Sequence, residues 1–250
     1  MHSPASSTLY LLCSALFIHA ALTTAVDPLH AACSTSKNYT SHGAFSNSLH
    51  QMMFLLATKA APIGFALGSV GHGDSRVNGL ALCRGDVRSS ACAACIRSAG
   101  ARVRDLCPRN NEAIIWFDEC MLRYSDTEFF GDVDYDHSFS LFDPRNTFNT
   151  GNVSDAKAFY GKVEFLLERL KNKTYISPLL FANQELEIGE SRNLYGVAQC
   201  TKDISGGDCK KCLEAAINKL RGCCRGQRGG RVVGGSCNMR YQLYPFLDDA

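Results

Sequence analysis

Two stretches of the chain carry apolar residues at helical spacing. In both, the apolar positions fall at i, i+4, i+7, i+8 and i+11, which places them on one face of an α-helix. The first set is Phe45, Leu49, Met52, Met53 and Leu56, and the second is Phe159, Val163, Leu166, Leu167 and Leu170. Each set predicts an amphipathic helix with a buried face. Pro62 and Gly64 are expected to end the first helix, and residues 172–178 the second.

A shorter apolar pattern predicts a second helix in each half of the chain. Its members are Ile96, Ala99 and Val103 in the first half, and Leu213, Ala216 and Leu220 in the second. Ser89 or Ser90 and, in the second half, Ser205 are suited to cap these helices at their N-termini. Strands are predicted over 113–117, 120–125, 231–233 and 237–244. The fold class is therefore α+β, with helices covering one face of an antiparallel sheet in each half.

The N-terminal segment has the pattern of a secretory signal. An apolar run of 14 residues, 9–22, is too short to span a bilayer comfortably, which disfavours the alternative of a membrane anchor. Small residues follow at Thr23, Thr24 and Ala25, so cleavage before Val26 is expected. We therefore predict a signal peptide at 1–25, and a mature protein that is secreted to the extracellular space without stable membrane insertion.

The cysteines show that the chain is a tandem duplication. Five of them recur after 117 residues: Cys83, Cys92, Cys95, Cys107 and Cys120 become Cys200, Cys209, Cys212, Cys224 and Cys237. Segment 143–153 is rich in turn-forming residues and is expected to link the copies. The predicted domains are 26–142 and 154–250.

The cysteine pattern favours structural disulfides over metal binding. The chain has 13 Cys, and signal cleavage removes Cys13, leaving an even number in an oxidising compartment. Each C-x2-C pair is half of a possible zinc or redox motif, but neither copy has the second close pair that zinc sites usually use. We predict neither a metal nor a cofactor.

No catalytic motif is evident in the sequence. It contains no G-x-S-x-G, H-E-x-x-H or Walker-type segment. Every histidine of the mature chain lies in the first half, so the two copies cannot share a histidine-based mechanism. Arg84-Gly85-Asp86 matches an integrin-binding triplet, but three-residue matches are common. These features favour a protein that is not an enzyme.

Charge and glycosylation motifs narrow the classes of partner. The net charge of +2 gives no reason to expect nucleic-acid binding. Basic residues concentrate in the second half, at Arg221, Arg225, Arg228 and Arg231. This cluster is either a solvated loop or a surface for anions or glycans. N-glycosylation acceptors begin at Asn38, Asn152 and Asn172.

The doubled C-x8-C-x2-C spacing and the closing segment RGCCRGQRGGRVVGGSCNMRYQLYPF together resemble the plant cysteine-rich repeat secretory proteins. Their unit is the ginkbilobin-like, or stress-antifungal, domain. The resemblance implies two helices packed on a five-stranded antiparallel sheet in each domain. It also implies the disulfides Cys33–Cys107, Cys83–Cys92, Cys95–Cys120, Cys200–Cys209 and Cys212–Cys237. The second domain has no counterpart of Cys33, so Cys223 and Cys224 have no assigned partner; a vicinal bridge, free thiols or an intermolecular bond remain open.

Ginkbilobin-type domains can bind mannose, and the resemblance implies where such a site would lie. The family's Asn, Arg and Glu correspond in the first copy to Ser34, Ile114 and Ser125, so no mannose site is expected there. The second copy keeps Arg231 and has Gln242 in place of the Glu. We predict that any carbohydrate site lies around Arg231 and Gln242, with weak or absent affinity for mannose.

Taken with the resemblance, these features predict a secreted, non-enzymatic binding protein of the plant apoplast, acting in defence or stress response. One form of this function is lectin-like or antifungal, with cell-wall or fungal glycans as partners. Another is a protein-interaction module that engages receptor ectodomains or microbial proteins. A third alternative is a thiol oxidoreductase that uses Cys223 and Cys224.

Overall fold

The computed structural model describes residues 27–34, 38–142, 153–189 and 192–247. In these ranges it has four α-helices and two five-stranded antiparallel sheets, as the resemblance implies. No helix in the described ranges combines the length and apolarity that crossing a bilayer requires. The predicted signal peptide at 1–25 lies outside the described residues.

The first domain carries two helices on one face of its sheet. Its elements in chain order are β1 (His30–Cys33), α1 (Ala44–Ile63), β2 (Phe65–Val70), β3 (Val77–Cys83), α2 (Ser89–Leu106), β4 (Ala113–Trp116) and β5 (Cys120–Ser125). The strands lie in the order β1-β4-β5-β3-β2, and every neighbouring pair is antiparallel.

The second domain repeats this arrangement. Its elements are β6 (Ser138–Leu141), α3 (Val153–Thr174), β7 (Phe181–Glu187), β8 (Asn193–Cys200), α4 (Gly206–Cys223), β9 (Gly229–Gly234) and β10 (Cys237–Gln242). The strand order is β6-β9-β10-β8-β7, again antiparallel throughout.

Both predicted apolar faces are buried against the sheets. Every member of the two helical sets is less than a tenth exposed, and each set belongs to the core of its own domain. The helices approach the sheets closely at Gly79 and Gly196, where a Cβ would lie 2.6 Å from side-chain atoms of Met52 and Leu170, respectively. These glycines let α1 and α3 pack directly on β3 and β8, which are inner strands of their sheets.

The helix ends match the sequence predictions with one exception. Helix α1 ends at Ile63, with Pro62 in its last turn and Gly64 in the left-handed conformation at φ 71°. The Ser205 hydroxyl caps α4 by accepting a hydrogen bond from the Asp208 amide. The prediction of a serine cap on α2 is wrong. The Cys92 amide bonds to the Arg88 carbonyl, so the helix begins one residue earlier and Arg88 is its N-cap.

The sheets place the domain boundary earlier than the predicted end of the first domain at residue 142. Strand β6 lies within the predicted range 26–142, yet it pairs with β9 of the second sheet. The pairing occurs because β6 supplies the outer strand that β1 supplies in the first sheet. By sheet membership, the boundary falls between Ser125 and Ser138. The predicted linker at 143–153 lies almost entirely outside the described residues.

A third apolar cluster joins the two domains. It consists of side chains on the outer faces of the sheets, opposite the helices, together with a phenylalanine from the segment after β5. Its buried members are Leu80, Leu82, Ile114, Trp116, Met121, Phe129 and Val233. Phe139 from β6 packs edge-on against Trp116, with ring centroids 5.3 Å apart. The Trp116 indole N–H donates to the Gly234 carbonyl across the interface. The outer face of the first sheet is therefore docked on β6 and β9 of the second.

Candidate functional site

Five disulfides pair the cysteines as the resemblance implies. They are Cys33–Cys107, Cys83–Cys92, Cys95–Cys120, Cys200–Cys209 and Cys212–Cys237. Two bonds in each domain occupy matching positions and tie the second helix to its sheet. The first domain has in addition the bond from Cys33 in β1 to the end of α2.

The structure joins Cys223 and Cys224 to each other at the end of α4. Of the alternatives that the sequence left open, this is the vicinal bridge. Cys33 lies opposite Ala113 in the first sheet. In the second domain, the residue at the position of Ala113 is Gly230, 117 residues later. Continuing the β6–β9 register by one residue puts Phe142 opposite Gly230, so the position of Cys33 is taken by a phenylalanine. Cys224 therefore has no strand cysteine to bond.

Arg231, the residue matching the family's mannose site, lies in the interface between the domains. Its side chain is 10% exposed, and its Nη1 donates to the Asp118 carboxylate of the first domain. Its Nη2 lies 3.4 Å from the Asp118 carbonyl. Arg240 and Arg84 contact the same carboxylate at 3.1 Å and 3.3 Å. We call Asp118, Arg84, Arg231 and Arg240 the interdomain arginine cluster.

The three guanidinium groups dominate the electrostatics of Asp118. Its partial burial alone would raise the pKa, but Arg231, Arg240 and Arg84 outweigh that effect and hold the pKa of Asp118 below its usual range. Burial is also the main cause that lowers the pKa of Arg231 to about 10, opposed by Asp118. The cluster is therefore an ionic bridge between the domains.

Gln242 lies on the same sheet face as Arg231 but makes different contacts. Its side chain covers Gly229, where a Cβ would lie 1.8 Å from the Gln242 Oε1. The terminal nitrogens of Arg231 are engaged by Asp118, so a sugar at these two residues must compete with that carboxylate. Carbohydrate binding at Arg231 and Gln242 stays a prediction.

In the first copy, the residues at the corresponding positions are unsuited to a polar ligand. Ile114 is 2% exposed and belongs to the interdomain cluster, and Ser125 is also buried. The Ser34 carbonyl accepts a hydrogen bond from the Asn110 side chain. The expectation that this copy has no mannose site stays a prediction.

The Arg84-Gly85-Asp86 triplet is part of the interface rather than an exposed loop. Arg84 and Asp86 form an ion pair at 2.6 Å, and both side chains are only 6% exposed. Gly85 lies directly against the Phe181 ring of the second domain. An integrin-like ligand would have to present this arginine and aspartate to solvent, which the structure does not do.

Two of the three glycosylation acceptors fall in described segments. Asn38 and Asn172 are both exposed, as attachment of a glycan requires. Asn172 lies in the last turn of α3. Asn152 lies outside the described residues.

The basic residues of the second domain do not form one surface. Arg231 is bound in the interdomain arginine cluster, whereas Arg221 pairs with Glu164 of α3 at 3.2 Å. Arg221 and Arg225 line a cavity of about 400 Å³ between α3 and the end of α4. Cys224 and Tyr241 lie in its wall. The sequence did not predict this cavity.

Comparison with protein families gives two matches along the chain. The salt stress response/antifungal domain matches residues 32–127 and again residues 145–244. The chain belongs to this family. The two matches agree with the duplication of the cysteine pattern and with the two sheets.

Relatives in this family match nearly the whole chain. An antimicrobial ginkbilobin-2-like protein of Castanea crenata is 47% identical over 222 residues, covering 89% of this chain and 90% of the relative. Cysteine-rich repeat secretory protein 38 of Arabidopsis thaliana is 42% identical over 215 residues, covering 85% and 82%. None of these names describes an enzyme.

Solved structures of Arabidopsis thaliana proteins share the fold of this family member. The tandem DUF26 ectodomain of the cysteine-rich receptor-like protein PDLP8 superposes with a TM-score of 0.71 at 24% identity, covering 87% of this chain and 98% of the other. The corresponding ectodomain of PDLP5 gives 0.70 at 22% identity, covering 87% and 100%. At these identities the likeness establishes the tandem fold alone.

Proposed function

We propose that this protein is a secreted, non-enzymatic binding protein of the plant apoplast that acts in defence, with an antifungal role. The observation that carries the proposal is the 47% identity to an antimicrobial relative along nearly the full length of both chains. Six disulfides support an extracellular setting, because such bonds persist in oxidising compartments.

The docking of the two domains supports a binding protein with fixed geometry. The outer face of the first sheet is covered by β6 and β9, and the interdomain arginine cluster adds ionic bonds at its edge. A partner is therefore expected to contact the helices, the outer strands or the loops. Two domains held in one arrangement also present two contact surfaces at a fixed spacing, which favours avidity for a repeated ligand.

A protein partner is the form of this function that the arrangement of Arg231 favours. In the lectin-like alternative, the guanidinium group binds the sugar, yet Asp118 already accepts from its terminal nitrogens. We expect mannose to bind weakly or not at all, because it would have to replace a charge-assisted hydrogen bond. Extracellular receptors or microbial proteins are then the expected partners.

Titration calorimetry with mannose and short mannans separates the two forms. The parent protein, Arg231→Ala and Gln242→Ala are compared, with folding of each variant checked by circular dichroism. Absence of heat for the parent supports a protein partner. Saturable binding that both substitutions weaken supports the lectin-like form and the predicted site. Tight binding that survives both substitutions contradicts a sugar site at these residues.

A glycan array run beside a pull-down from extracellular fluid identifies the partner class. Retention of a defined protein, with no glycan retained, supports a protein-interaction module.

The thiol oxidoreductase alternative is tested separately by thiol titration of the native protein. We expect no reactive thiol, because the sulfurs of Cys223 and Cys224 are bonded to each other. Two reactive thiols per chain would favour the alternative.

A further inference from the structure

Helix α3 carries a row of exposed basic and aromatic residues that is separate from the arginines at 221–231. Its members are Lys162, Phe165, Arg169 and Lys173. They are spaced by three or four residues and therefore lie along one flank of the helix. All four are exposed, and Phe165 is 50% exposed. At the rise of an α-helix the row is about 16 Å long. We call these four residues the α3 stripe.

The positive charges of the α3 stripe are not neutralised by the acidic residues of the same helix. The two glutamates in the middle of α3 lie on its other flank, toward α4. There, Glu164 pairs with Arg221 at 3.2 Å. Glu168 pairs with Lys171 at 2.7 Å. Among the described residues, none of the three cations of the stripe has a carboxylate partner. An anionic ligand could therefore bind there without displacing an ion pair.

The aromatic ring and the guanidinium group of the stripe lie side by side. The Arg169 Cζ is 5.5 Å from the centroid of the Phe165 ring, within the range of a cation–π contact. An exposed aromatic face packs well against the apolar C–H face of a sugar ring. A guanidinium group next to it can donate two parallel hydrogen bonds to a carboxylate. The pair is suited to a sugar that carries a carboxylate.

The first domain shows that the fold does not require this stripe. The apolar faces of α1 and α3 correspond at an offset of 114 residues. At that offset, Gln51, Leu55 and Lys59 of α1 take the places of the last three members of the stripe. Both helices pack on their sheets in the same way. The aromatic ring and the arginine are therefore features of the second domain that packing does not explain.

The width of the stripe favours a single extended polyanion over a broad surface. A helix that binds a bilayer inserts its apolar face into the lipid, but the apolar face of α3 is buried in the core of its own domain. A stable protein interface has a larger apolar centre than one phenylalanine provides. A linear chain of acidic sugars needs only a row of cations and a ring on which a sugar can pack.

We propose that the α3 stripe binds a linear polyuronate, an acidic polysaccharide of the plant cell wall. One sugar ring packs on Phe165, and a carboxylate beside it accepts hydrogen bonds from Arg169. Further carboxylates along the chain contact Lys162 and Lys173. The surface is on the helical side of the second sheet, away from the predicted carbohydrate site on the outer face. It holds the secreted protein at the wall and does not depend on the proposed antifungal role.

Titration calorimetry with oligogalacturonate tests this surface on the mature protein. N-glycans are removed first, because Asn172 is exposed in the last turn of α3 and a glycan on it would lie beside Lys173. Methyl-esterified oligogalacturonate keeps the rings and removes the charge, whereas polyglutamate keeps the charge and removes the rings. We expect saturable binding of oligogalacturonate that about 0.5 M NaCl abolishes. Both analogues should bind at least about tenfold more weakly, because each lacks one of the two recognised features.

The analogues decide between the possible outcomes. No saturable binding of oligogalacturonate at low salt would overturn the proposal. Equal affinity for the methyl ester would show that the cations are not used. Equal affinity for polyglutamate would show that the surface takes any acidic chain, and the assignment to a polysaccharide would be wrong.

Two substitutions and two matched controls locate the surface. Phe165→Ala and Arg169→Gln should each weaken oligogalacturonate binding about tenfold. Phe165→Ala should leave the affinity for polyglutamate unchanged, because that chain has no ring to pack on the phenylalanine. The controls are Phe54→Ala and Lys59→Gln, which change exposed residues of α1 and should leave every affinity unchanged. Unchanged oligogalacturonate affinity in both α3 variants, or an equal loss in the controls, would place binding elsewhere and refute the surface.

Discussion

Replacing Asp118 by asparagine should loosen the contact between the domains. The substitution keeps the size of the side chain but removes the charge that three guanidinium groups share. It leaves Arg231, which is 10% exposed, without its counter-charge in the interface. Removing one partner of a buried ion pair is strongly destabilising, because the remaining charge stays poorly solvated.

The size of the effect follows from the exposure of the four side chains. The Asp118 side chain is 46% exposed, so solvent screens its pairs with Arg84 and Arg240, and each contributes about 0.5 kcal/mol. The pair with buried Arg231 contributes more, about 1.5 kcal/mol, as a charge-assisted hydrogen bond. We therefore expect Asp118→Asn to reduce the free energy of unfolding by about 2–3 kcal/mol.

The single tryptophan makes this change directly measurable. Trp116 is the only one in the chain and lies in the interdomain contact, 2% exposed. In urea, Asp118→Asn should shift the transition in Trp116 fluorescence emission to a lower urea concentration than the loss of the helical circular dichroism signal. The matched control is Glu128→Gln, which removes an exposed pair with Arg76 and should cost less than about 0.5 kcal/mol.

Acid should reproduce the effect of the substitution. The pKa of Asp118 lies below its usual range in the folded protein, so its stabilisation is complete above about pH 4. It is lost as the pH falls further, through the pKa of the folded state. Asp118→Asn should lack this part of the pH dependence. An unfolding free energy for Asp118→Asn within about 0.5 kcal/mol of the parent at neutral pH would refute the ionic bridge.

Three further predictions concern stability and processing. Loss of the Cys33–Cys107 bridge, which closes a loop of 74 residues, should lower the free energy of unfolding in urea by about 4 kcal/mol. Loss of the Cys83–Cys92 bridge, whose cysteines are 9 residues apart, should lower it by about 3 kcal/mol. Equal losses would contradict the loop-closure argument. Gly196→Ala should destabilise the protein by about 2 kcal/mol, because the added Cβ meets side chains of α3. Gly161→Ala, at an exposed helical site, should instead stabilise the protein by about 0.5–1 kcal/mol. Thermal unfolding measures both variants, and a stabilised Gly196→Ala would contradict the close packing. Protein from extracellular fluid should begin near residue 26 and lose mass on glycan removal, with the exposed Asn38 modified; an intact N-terminus would contradict the signal peptide.

The elements within each domain were predictable because their signals are local. Helical spacing of apolar residues is a property of a few successive turns, and both predicted sets are buried as expected. The duplication was visible in cysteine spacing alone. The pairing of Cys33 with Cys107 came from the family resemblance, because spacing does not determine connectivity.

The relation between the domains was not predictable, because it depends on contacts between distant residues. Nothing in the sequence around Asp118 indicates that Arg231, 113 residues later, lies beside it. For the same reason, β6 was placed in the first domain, although it completes the second sheet.

Growth of fungal hyphae in the presence of the purified, glycosylated protein tests the proposed function most directly. Hyphal extension and the amount of protein retained on washed hyphae are measured together, with reduced and alkylated protein as the control for fold. We expect slower extension at micromolar protein, retention on the hyphae, and loss of both after reduction. Normal extension with no protein retained would contradict a defence protein that acts by binding.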